Sequence, residues 1–175
     1  DVSEKRDSEE VARRLKIKVK EMTGLAVTIG GGTSKTVSKV ASQIGKPDGL
    51  LLVRPGDERD FLAPLKVDIL TGVGPKTASL LKSHGINTLG DLASCEVAWL
   101  RTNLGVRGPE LRNRAMGTDD DSVTPYRETK SVSAETTLSR DTGKLVEIDG
   151  HIRDLSERVA SQLRTSKLQG RTVKL

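Results

Sequence analysis

The sequence is poor in aromatic residues and in cysteine. It contains one Trp, one Tyr, one Phe and one Cys among 175 residues. A core built from this chain must therefore be aliphatic, and several small helical modules suit it better than one large domain. The single cysteine excludes an internal disulfide framework, and with only two histidines it leaves too few soft ligands for a structural zinc site.

Long apolar runs are also absent. No stretch of about 18 consecutive apolar residues occurs, and residues 1–14 are charged and lack the apolar segment of a signal peptide. We therefore expect no membrane insertion and take the cytoplasm as the expected location. Lys and Arg total 29 against 24 Asp and Glu, and the resulting net charge of +5 suits a polyanionic partner.

The first third of the sequence alternates helix and strand signals. Asp7 and Glu10 have the spacing of a capping box at the start of an amphipathic helix. The apolar residues of that helix recur at helical intervals: Val11, Leu15, Val19 and Met22. Residues 25–29 then predict a buried strand, and the three glycines at 30–32 predict a turn.

A second helix and a second strand complete this region. The helix carries its apolar residues on one face: Val37, Val40, Ala41 and Ile44. Residues 46–49 are a turn signature and residues 50–53 predict a short strand, which gives the helix–strand–helix–strand order of an α/β layer. The charge and proline of residues 54–66 predict a connection between domains.

Three short helices, separated by Gly85 and Gly105, are predicted after residue 66. Their apolar residues define a small core: Ala78, Leu81, Leu89, Leu92, Ala93, Trp99, Leu100 and Leu104. Trp99 fits this core better than a base-stacking position. Residues 118–129 are polar and predict an exposed linker, in which the three aspartates at 119–121 stay solvated.

The last part of the sequence predicts an edge strand at residues 131–138 and then the clearest helix of the chain. An apolar stripe marks that helix: Ile148, Ile152, Leu155, Val159 and Leu163. Residues 171–175 alternate like a further strand that has nothing left to pair with. We therefore expect this chain to be an internal piece of a longer protein.

Residues 69–78 carry the most specific local signal, a glycine turn that enters a helix. Gly72 and Gly74 let the backbone turn tightly and expose its N–H groups, while Pro75 suits the first helical turn and Lys76 adds charge. This pattern resembles the helix-hairpin-helix DNA-binding motif. The alternative is a plain helix connection with glycines for turn geometry. A dinucleotide-binding fingerprint fails because Thr77 occupies the third glycine position.

A P-loop is excluded at residues 30–36, because other residues occupy both of its required glycine positions. Lys35, Lys39 and Lys46 can still form a basic edge that binds a triphosphate or a nucleic-acid backbone. The alternative is a set of ordinary solvated lysines. Three isolated residues have no partner spacing and are assigned no chemistry: His84, Cys95 and His151.

Three segments stand in the order and spacing of Y-family translesion DNA polymerases of the DNA polymerase IV type: residues 30–49, 64–78 and 130–135. This resemblance covers nearly the whole chain and implies an α+β, multi-domain fragment. It implies four parts: residues 1–65 as a partial α/β palm, 66–120 as a small all-helical thumb with the helix-hairpin-helix motif, 121–130 as a linker, and 131–175 as the beginning of an α/β little-finger domain.

The resemblance also implies the site residues and the partners. Lys46 would bind the incoming deoxynucleoside triphosphate. The residues that would bind DNA are Gly72, Val73, Gly74, Lys76, Lys130, Ser131 and Ser133. Lys39 of the basic edge is a further expected DNA contact. Primer-template DNA is the expected partner of a monomeric protein, and a sliding clamp is a further candidate. Ser34-Lys35 departs from the Asn-Lys pair that is usual in the family, which puts the local geometry there in question.

The larger departure from the family's pattern is the absence of its catalytic carboxylates. Phosphoryl transfer by two Mg²⁺ ions needs carboxylates to hold the metals, and the family's Asp-Glu pair precedes a segment that matches Asp1-Val2-Ser3. The pair would lie upstream of residue 1, so we expect no catalytic or metal-binding residue here and no primer extension by this chain alone. The parent protein is expected to be a DNA-directed DNA polymerase that synthesises across damaged DNA. Two rivals stay open: a non-catalytic relative that binds DNA as an accessory protein, and an unrelated repair protein with a hairpin module.

Overall fold

The computed structural model of the chain describes residues 8–126 and 128–175. Its contacts divide into two compact units, residues 1–123 and 124–175. The predicted capping box at Asp7 and the segment Asp1-Val2-Ser3 lie outside the described residues. The elements, in chain order, are α1 (Ser8–Thr23), β1 (Ile29–Gly31), α2 (Lys35–Ile44), β2 (Leu50–Leu52), α3 (Glu58–Leu62), a 3₁₀ helix (Val67–Ile69), α4 (Pro75–Ser83), α5 (Leu89–Ser94), α6 (Val97–Leu104), α7 (Arg107–Ala115) and α8 (Leu145–Thr165).

The two strands pair in parallel, with Ile29 opposite Leu50, and α2 connects them as the crossover of a βαβ unit. This confirms the predicted order of elements but corrects the position of the first strand. The predicted strand at residues 25–29 is wrong, since only Ile29 belongs to β1 and Leu25 is exposed. The reason is steric: a Cβ at Gly30 would collide with the backbone of α2 at Ser42, so the strand that lies under this helix has to be glycine-rich.

The face by which helix α1 packs only partly matches the one that its apolar pattern predicts. Leu15 and Met22 are 52% and 73% exposed, whereas Ala12 is buried. Lys16 also points towards the unit, where its ammonium contacts backbone carbonyls near β2. The predicted apolar face is therefore wrong for Leu15 and Met22, whereas Val11 and Val19 are partly buried. Hydrogen bonds from Lys16 help to set the rotation of this helix.

The helical part of the first unit has the expected aliphatic core. Its largest fully buried side chains are Leu62, Leu70, Leu81, Leu89, Leu92 and Leu100. The three predicted short helices are confirmed as α4, α5 and α6. Helix α2 contributes Val37, Val40 and Ala41 to the same continuous core, so the proposed palm–thumb boundary near residue 65 falls inside one compact unit and stays a prediction.

Two helices of this unit, α3 and α7, were not predicted from the sequence. Helix α3 lies inside the stretch expected to be a connection, and it buries Leu62. Helix α7 contains Gly108 and Pro109, which usually indicate a loop. Gly108 is required there because a Cβ would lie 2.9 Å from Cβ of Leu100, so the glycine lets α7 approach α6 closely.

The second unit contains one regular element within its described residues, the helix α8. This helix is confirmed, and its predicted apolar stripe is half-buried along its length. The predicted strands at residues 131–138 and 171–175 are wrong, since neither segment forms a β-ladder. A strand needs a neighbour that satisfies its backbone groups, and the described part of this unit offers none. None of the described helices is long and apolar enough to cross a membrane.

Candidate nucleic-acid interface

The glycine turn at residues 70–75 joins the 3₁₀ helix to α4. Gly72 has a φ of +101°, a conformation that residues with a side chain rarely adopt. The amide of Val73 donates to the carbonyl of Leu70 at 3.0 Å and closes the turn. Gly74 then has extended backbone angles as the N-cap of α4, and Pro75 begins the helix. The sequence thus dictates the hairpin locally.

Several backbone N–H groups of the turn and of the first turn of α4 lack hydrogen-bond partners among the described residues. The first helical hydrogen bond of α4 runs from the amide of Ala78 to the carbonyl of Gly74, at 2.8 Å. Four amides before it have no hydrogen-bond partner among the described residues: those of Gly72, Gly74, Lys76 and Thr77. Gly72, Gly74 and Lys76 are exposed. Unpaired amides at the start of a helix, with a lysine beside them, are the kind of donors that can bind an anion such as phosphate.

Val73 differs from its neighbours in the turn. Its side chain is 7% exposed and packs in the core, and its amide is already used by Leu70. The predicted turn residues therefore fall into two groups. Gly72, Gly74 and Lys76 are exposed to solvent, whereas the side chain of Val73 is buried in the core beneath the turn. A buried valine at this position fixes the loop against the core.

Charge beside the hairpin is partly neutralised. Lys82 of α4 pairs with Asp68 of the 3₁₀ helix at 2.9 Å. The hydrogen bond from Lys82 holds the pKa of Asp68 below its ordinary value. Lys76 has no ion-pair partner among the described residues, so its charge remains available to a ligand.

The turn that carries Lys46 is fixed from α1. The ammonium of Lys16 donates to the carboxylate of Asp48 at 2.6 Å, to the Asp48 carbonyl at 2.7 Å and to the Gly49 carbonyl at 3.2 Å. The hydrogen bond from Lys16 to the Asp48 carboxylate, together with the positive charge of Lys16, lowers the pKa of Asp48. Lys46 itself is exposed, as is Lys39 on the outer face of α2. The structure thus leaves both lysines accessible to solvent.

Asp119 supplies a second cap to α2, besides the side chain of its N-cap residue Ser34, which accepts from the Val37 amide. Its Oδ2 accepts from the hydroxyl of Thr36 at 2.7 Å and from the Thr36 amide at 3.2 Å. Burial raises the pKa of Asp119, but the hydrogen bonds and the charge of Arg114 outweigh it and the net change is a lowered pKa. The expectation that all three aspartates stay solvated is therefore wrong for Asp119. No local signal predicts a contact between residues so far apart in sequence.

The segment before Asp119 also packs closely. A Cβ at Gly117, which has a φ of +86°, would lie 2.6 Å from Cβ of Glu58. Glu58 in turn accepts a hydrogen bond of 2.6 Å from Thr33, and this bond lowers its pKa. Residues 117–119 thus lie against Glu58 at the start of α3 and against the first turn of α2.

The second unit carries the remaining predicted DNA-binding residues. Lys130, Ser131 and Ser133 are exposed in an irregular segment, while Val132 and Ala134 are partly buried. The alternation of a strand is therefore present in the exposure of side chains, although no partner strand is paired with it. Within residues 8–126 and 128–175, no cluster of three or more acidic, histidine or cysteine side chains could hold a metal ion.

Three family profiles match the sequence. The impB/mucB/samB family matches residues 1–43, the IMS family HHH motif matches residues 55–86, and the impB/mucB/samB family C-terminal domain matches residues 129–175. The hairpin thus lies inside the segment that matches the motif profile.

Curated relatives agree with these profiles. DNA polymerase IV of Dehalococcoides mccartyi is 37% identical over 166 residues, which cover 95% of this chain and 43% of the relative. DNA polymerase IV of Methanoculleus marisnigri is 40% identical over 163 residues, covering 93% and 45%. The chain therefore spans less than half the length of these relatives.

Solved structures give the same assignment. DinB from Sulfolobus solfataricus has a TM-score of 0.56 at 31% identity, over 62% of this chain and 32% of the other. A Y-family DNA polymerase chimera of Dbh and Dpo4 has a TM-score of 0.75 at 27% identity, over 87% and 44%. The α+β fold, with a small parallel sheet and a helical hairpin module, is the fold of these polymerase segments. The chain accordingly belongs to the impB/mucB/samB family of Y-family DNA polymerases, of the DNA polymerase IV type.

Proposed function

We propose that this protein performs template-directed DNA synthesis across damaged DNA, and that the chain contributes the grip on the DNA backbone and part of the nucleotide site. One observation carries the proposal: a hairpin with four backbone amides that have no partner among the described residues lies inside the segment that matches the family's hairpin motif. Relatives of the chain are named DNA polymerase IV.

Backbone amides and a lysine recognise phosphate and not base edges. The hairpin at Gly72, Gly74 and Lys76 would therefore hold a DNA strand whatever its sequence, which a polymerase needs as the duplex moves. Lys39 is a further backbone contact in this proposal. In the second unit, Lys130, Ser131 and Ser133 would follow the template backbone with a charge and two hydroxyl groups.

Lys46 is the proposed ligand of the incoming deoxynucleoside triphosphate. Lys16 holds the turn that carries it through three contacts with Asp48 and Gly49, so Lys46 starts from a fixed backbone position. One relative of known structure, Dbh DNA polymerase, is described as an insertion ternary complex. Primer-template DNA and a deoxynucleoside triphosphate are the corresponding partners proposed for this protein.

A divalent metal belongs to the proposed reaction, with Mg²⁺ as the proposed ion. The described residues do not fit such a site, since no suitable cluster of acidic side chains is present among them. We therefore place the metal-binding carboxylates outside the described residues and derive no step through the metal. Contact with a sliding clamp, a monomeric state and a cytoplasmic location are parts of the proposal as well.

The DNA-binding part is tested by fluorescence anisotropy with a short labelled primer-template duplex. Lys76→Glu should weaken binding and reduce its salt dependence, because a phosphate contact that releases counterions is lost. Lys18→Glu is the control, since it makes the same change of charge at an exposed position of α1. If both variants bind like the parent chain, the hairpin is not the DNA site.

The catalytic part is tested by primer extension with the complete protein. Lys46→Ala should raise the KM for the incoming nucleotide, with a smaller change in DNA affinity. An extension reaction that needs Mg²⁺ but is insensitive to Lys46→Ala would contradict the role of this lysine. A complete protein that binds DNA and extends no primer would contradict the enzymatic proposal and support an accessory role.

A further inference from the structure

A second glycine turn precedes α7 and has a sequence like that of the first. Gly72-Val73-Gly74 leads into α4, which begins at Pro75; in the similar segment 105–109, Gly105 and Val106 precede α7, and Arg107, Gly108 and Pro109 are its first three residues. Gly105 has a φ of +66°, which corresponds to the positive φ of Gly72. The second turn carries an arginine between its valine and its second glycine, and it lies outside the segment that matches the family's hairpin motif.

The start of α7 is fixed against its neighbours. Gly108 is buried, and a side chain there would collide with the backbone of Leu100 in α6. Leu111, one helical turn after Arg107, is 4% exposed and belongs to the core. These contacts determine which way the first turn of α7 faces, so the position of the Arg107 backbone follows from tight packing.

Arg107 and Leu111 both face the first hairpin. A Cβ built on Gly72 would lie 3.1 Å from Nη2 of Arg107 and 3.2 Å from Cδ2 of Leu111. The guanidinium of Arg107 therefore lies directly beside the turn in which the amides of Gly72 and Gly74 have no hydrogen-bond partner among the described residues. Leu111 supports this arrangement from the core side.

The guanidinium of Arg107 is available for a ligand. Its side chain is exposed, and it has no ion pair or hydrogen bond within the described part of the chain. The neighbouring arginines of α7 are engaged: Arg112 donates to the Cys95 carbonyl at 3.0 Å, and Arg114 pairs with Glu110 at 2.7 Å. Because a planar guanidinium binds phosphate through two parallel donors, a free one beside unpaired amides matches a phosphodiester backbone.

We propose that Arg107 is a further DNA-backbone contact, and that its guanidinium binds a phosphate of the strand that the Gly72 hairpin holds. The inference rests on the proposed DNA-binding function and adds to it a residue from a different helix. Both glycine turns would then contact the same DNA strand at adjacent positions. The backbone amides and Lys76 of the first turn would bind one phosphate, and the guanidinium of Arg107 would bind a neighbouring one.

The test compares Arg107→Gln with Arg101→Gln in the 175-residue chain. Both variants remove one positive charge from an exposed arginine, and Arg101 lies on α6. Binding to a labelled primer-template duplex is measured by anisotropy between about 50 and 200 mM NaCl. We expect Arg107→Gln to weaken binding about five- to ten-fold, the size of about one lost phosphate contact, and to lower the slope of log affinity against log salt by about 0.9. Arg107→Lys should restore part of the affinity.

The outcomes separate this inference from the function on which it rests. If Lys76→Glu weakens binding while Arg107→Gln behaves like Arg101→Gln, the hairpin binds DNA and the role of Arg107 is overturned. If none of the variants differs from the parent chain, the proposed function itself fails. Circular dichroism and thermal unfolding of each variant show whether a loss of binding comes from a loss of fold. A weakened but folded Arg107→Gln variant supports the inference.

Discussion

The carboxylate of Asp119 caps the helix that begins beside Thr36, although 83 residues separate the two along the chain. One carboxylate oxygen accepts from both the hydroxyl and the amide of Thr36, at 2.7 Å and 3.2 Å. Thr36 is 5% exposed, so these bonds satisfy donors that water reaches poorly. The negative charge also lies at the favourable end of the α2 dipole. This contact joins the end of the helical module to the α/β part of the same unit.

Removal of this cap should destabilise the first unit. We expect Asp119→Ala and Thr36→Val each to lower the free energy of unfolding by about 1 kcal/mol, the usual effect of losing a helix cap. The double variant should cost less than the sum, because both changes remove the same interaction. Urea unfolding measures all three, with Asp120→Ala as an exposed control that should have little effect. Fully additive effects would show that the two side chains are not coupled.

The same contact makes stability depend on acid. The pKa of Asp119 is lower in the folded chain than its ordinary value of about 3.9. Its contribution is therefore present in full above that value and is lost as the pH falls through the folded pKa. Asp119→Asn keeps an acceptor oxygen but no titration. Urea midpoints at about pH 7 and about pH 3 should differ more for the parent chain than for Asp119→Asn. An equal difference would contradict this prediction.

The two glycines of the hairpin should respond differently to alanine. Gly72→Ala places a side chain at a φ of +101° and within 3.1 Å of Arg107, so we expect at least about 1 kcal/mol of destabilisation and weaker DNA binding. Gly74 has a negative φ and open space around its Cβ position. Gly74→Ala should therefore retain both stability and affinity to a much greater extent. Thermal unfolding and anisotropy on both variants check this, and equal losses would contradict the geometry of the turn.

Lys16 should contribute more to the stability of the turn that carries Lys46 than an ordinary lysine of an amphipathic helix does. Lys16→Met removes the donor to Asp48 and Gly49 and leaves the Asp48 carboxylate without its cation. Lys18→Met, at an exposed position of the same helix, should change the free energy of unfolding by no more than about 0.5 kcal/mol. We expect Lys16→Met to exceed that value in urea unfolding. Equal effects of Lys16→Met and Lys18→Met on the free energy of unfolding would mean that Lys16 does not stabilise the turn.

Some features of this protein were determined by the sequence alone. The hairpin at Gly72 and Gly74 follows from conformations that glycine adopts easily and from a proline that suits a helix start. Helix α8 follows from a regular apolar stripe, and the aliphatic core follows from the near absence of aromatic residues. These signals are local or compositional, so neighbouring residues suffice to specify them.

Other features were decided only by the tertiary structure. Strand β1 includes Gly30 because α2 packs against it, α1 turns Lys16 inward because carbonyls of another segment accept its hydrogens, and α7 contains Gly108 because α6 lies close beside it. Asp119 caps α2, and Arg107 lies beside Gly72, although neither pair is close in sequence. In every case the deciding contact joins segments that meet only after the chain has folded, and a local pattern carries no information about such a partner.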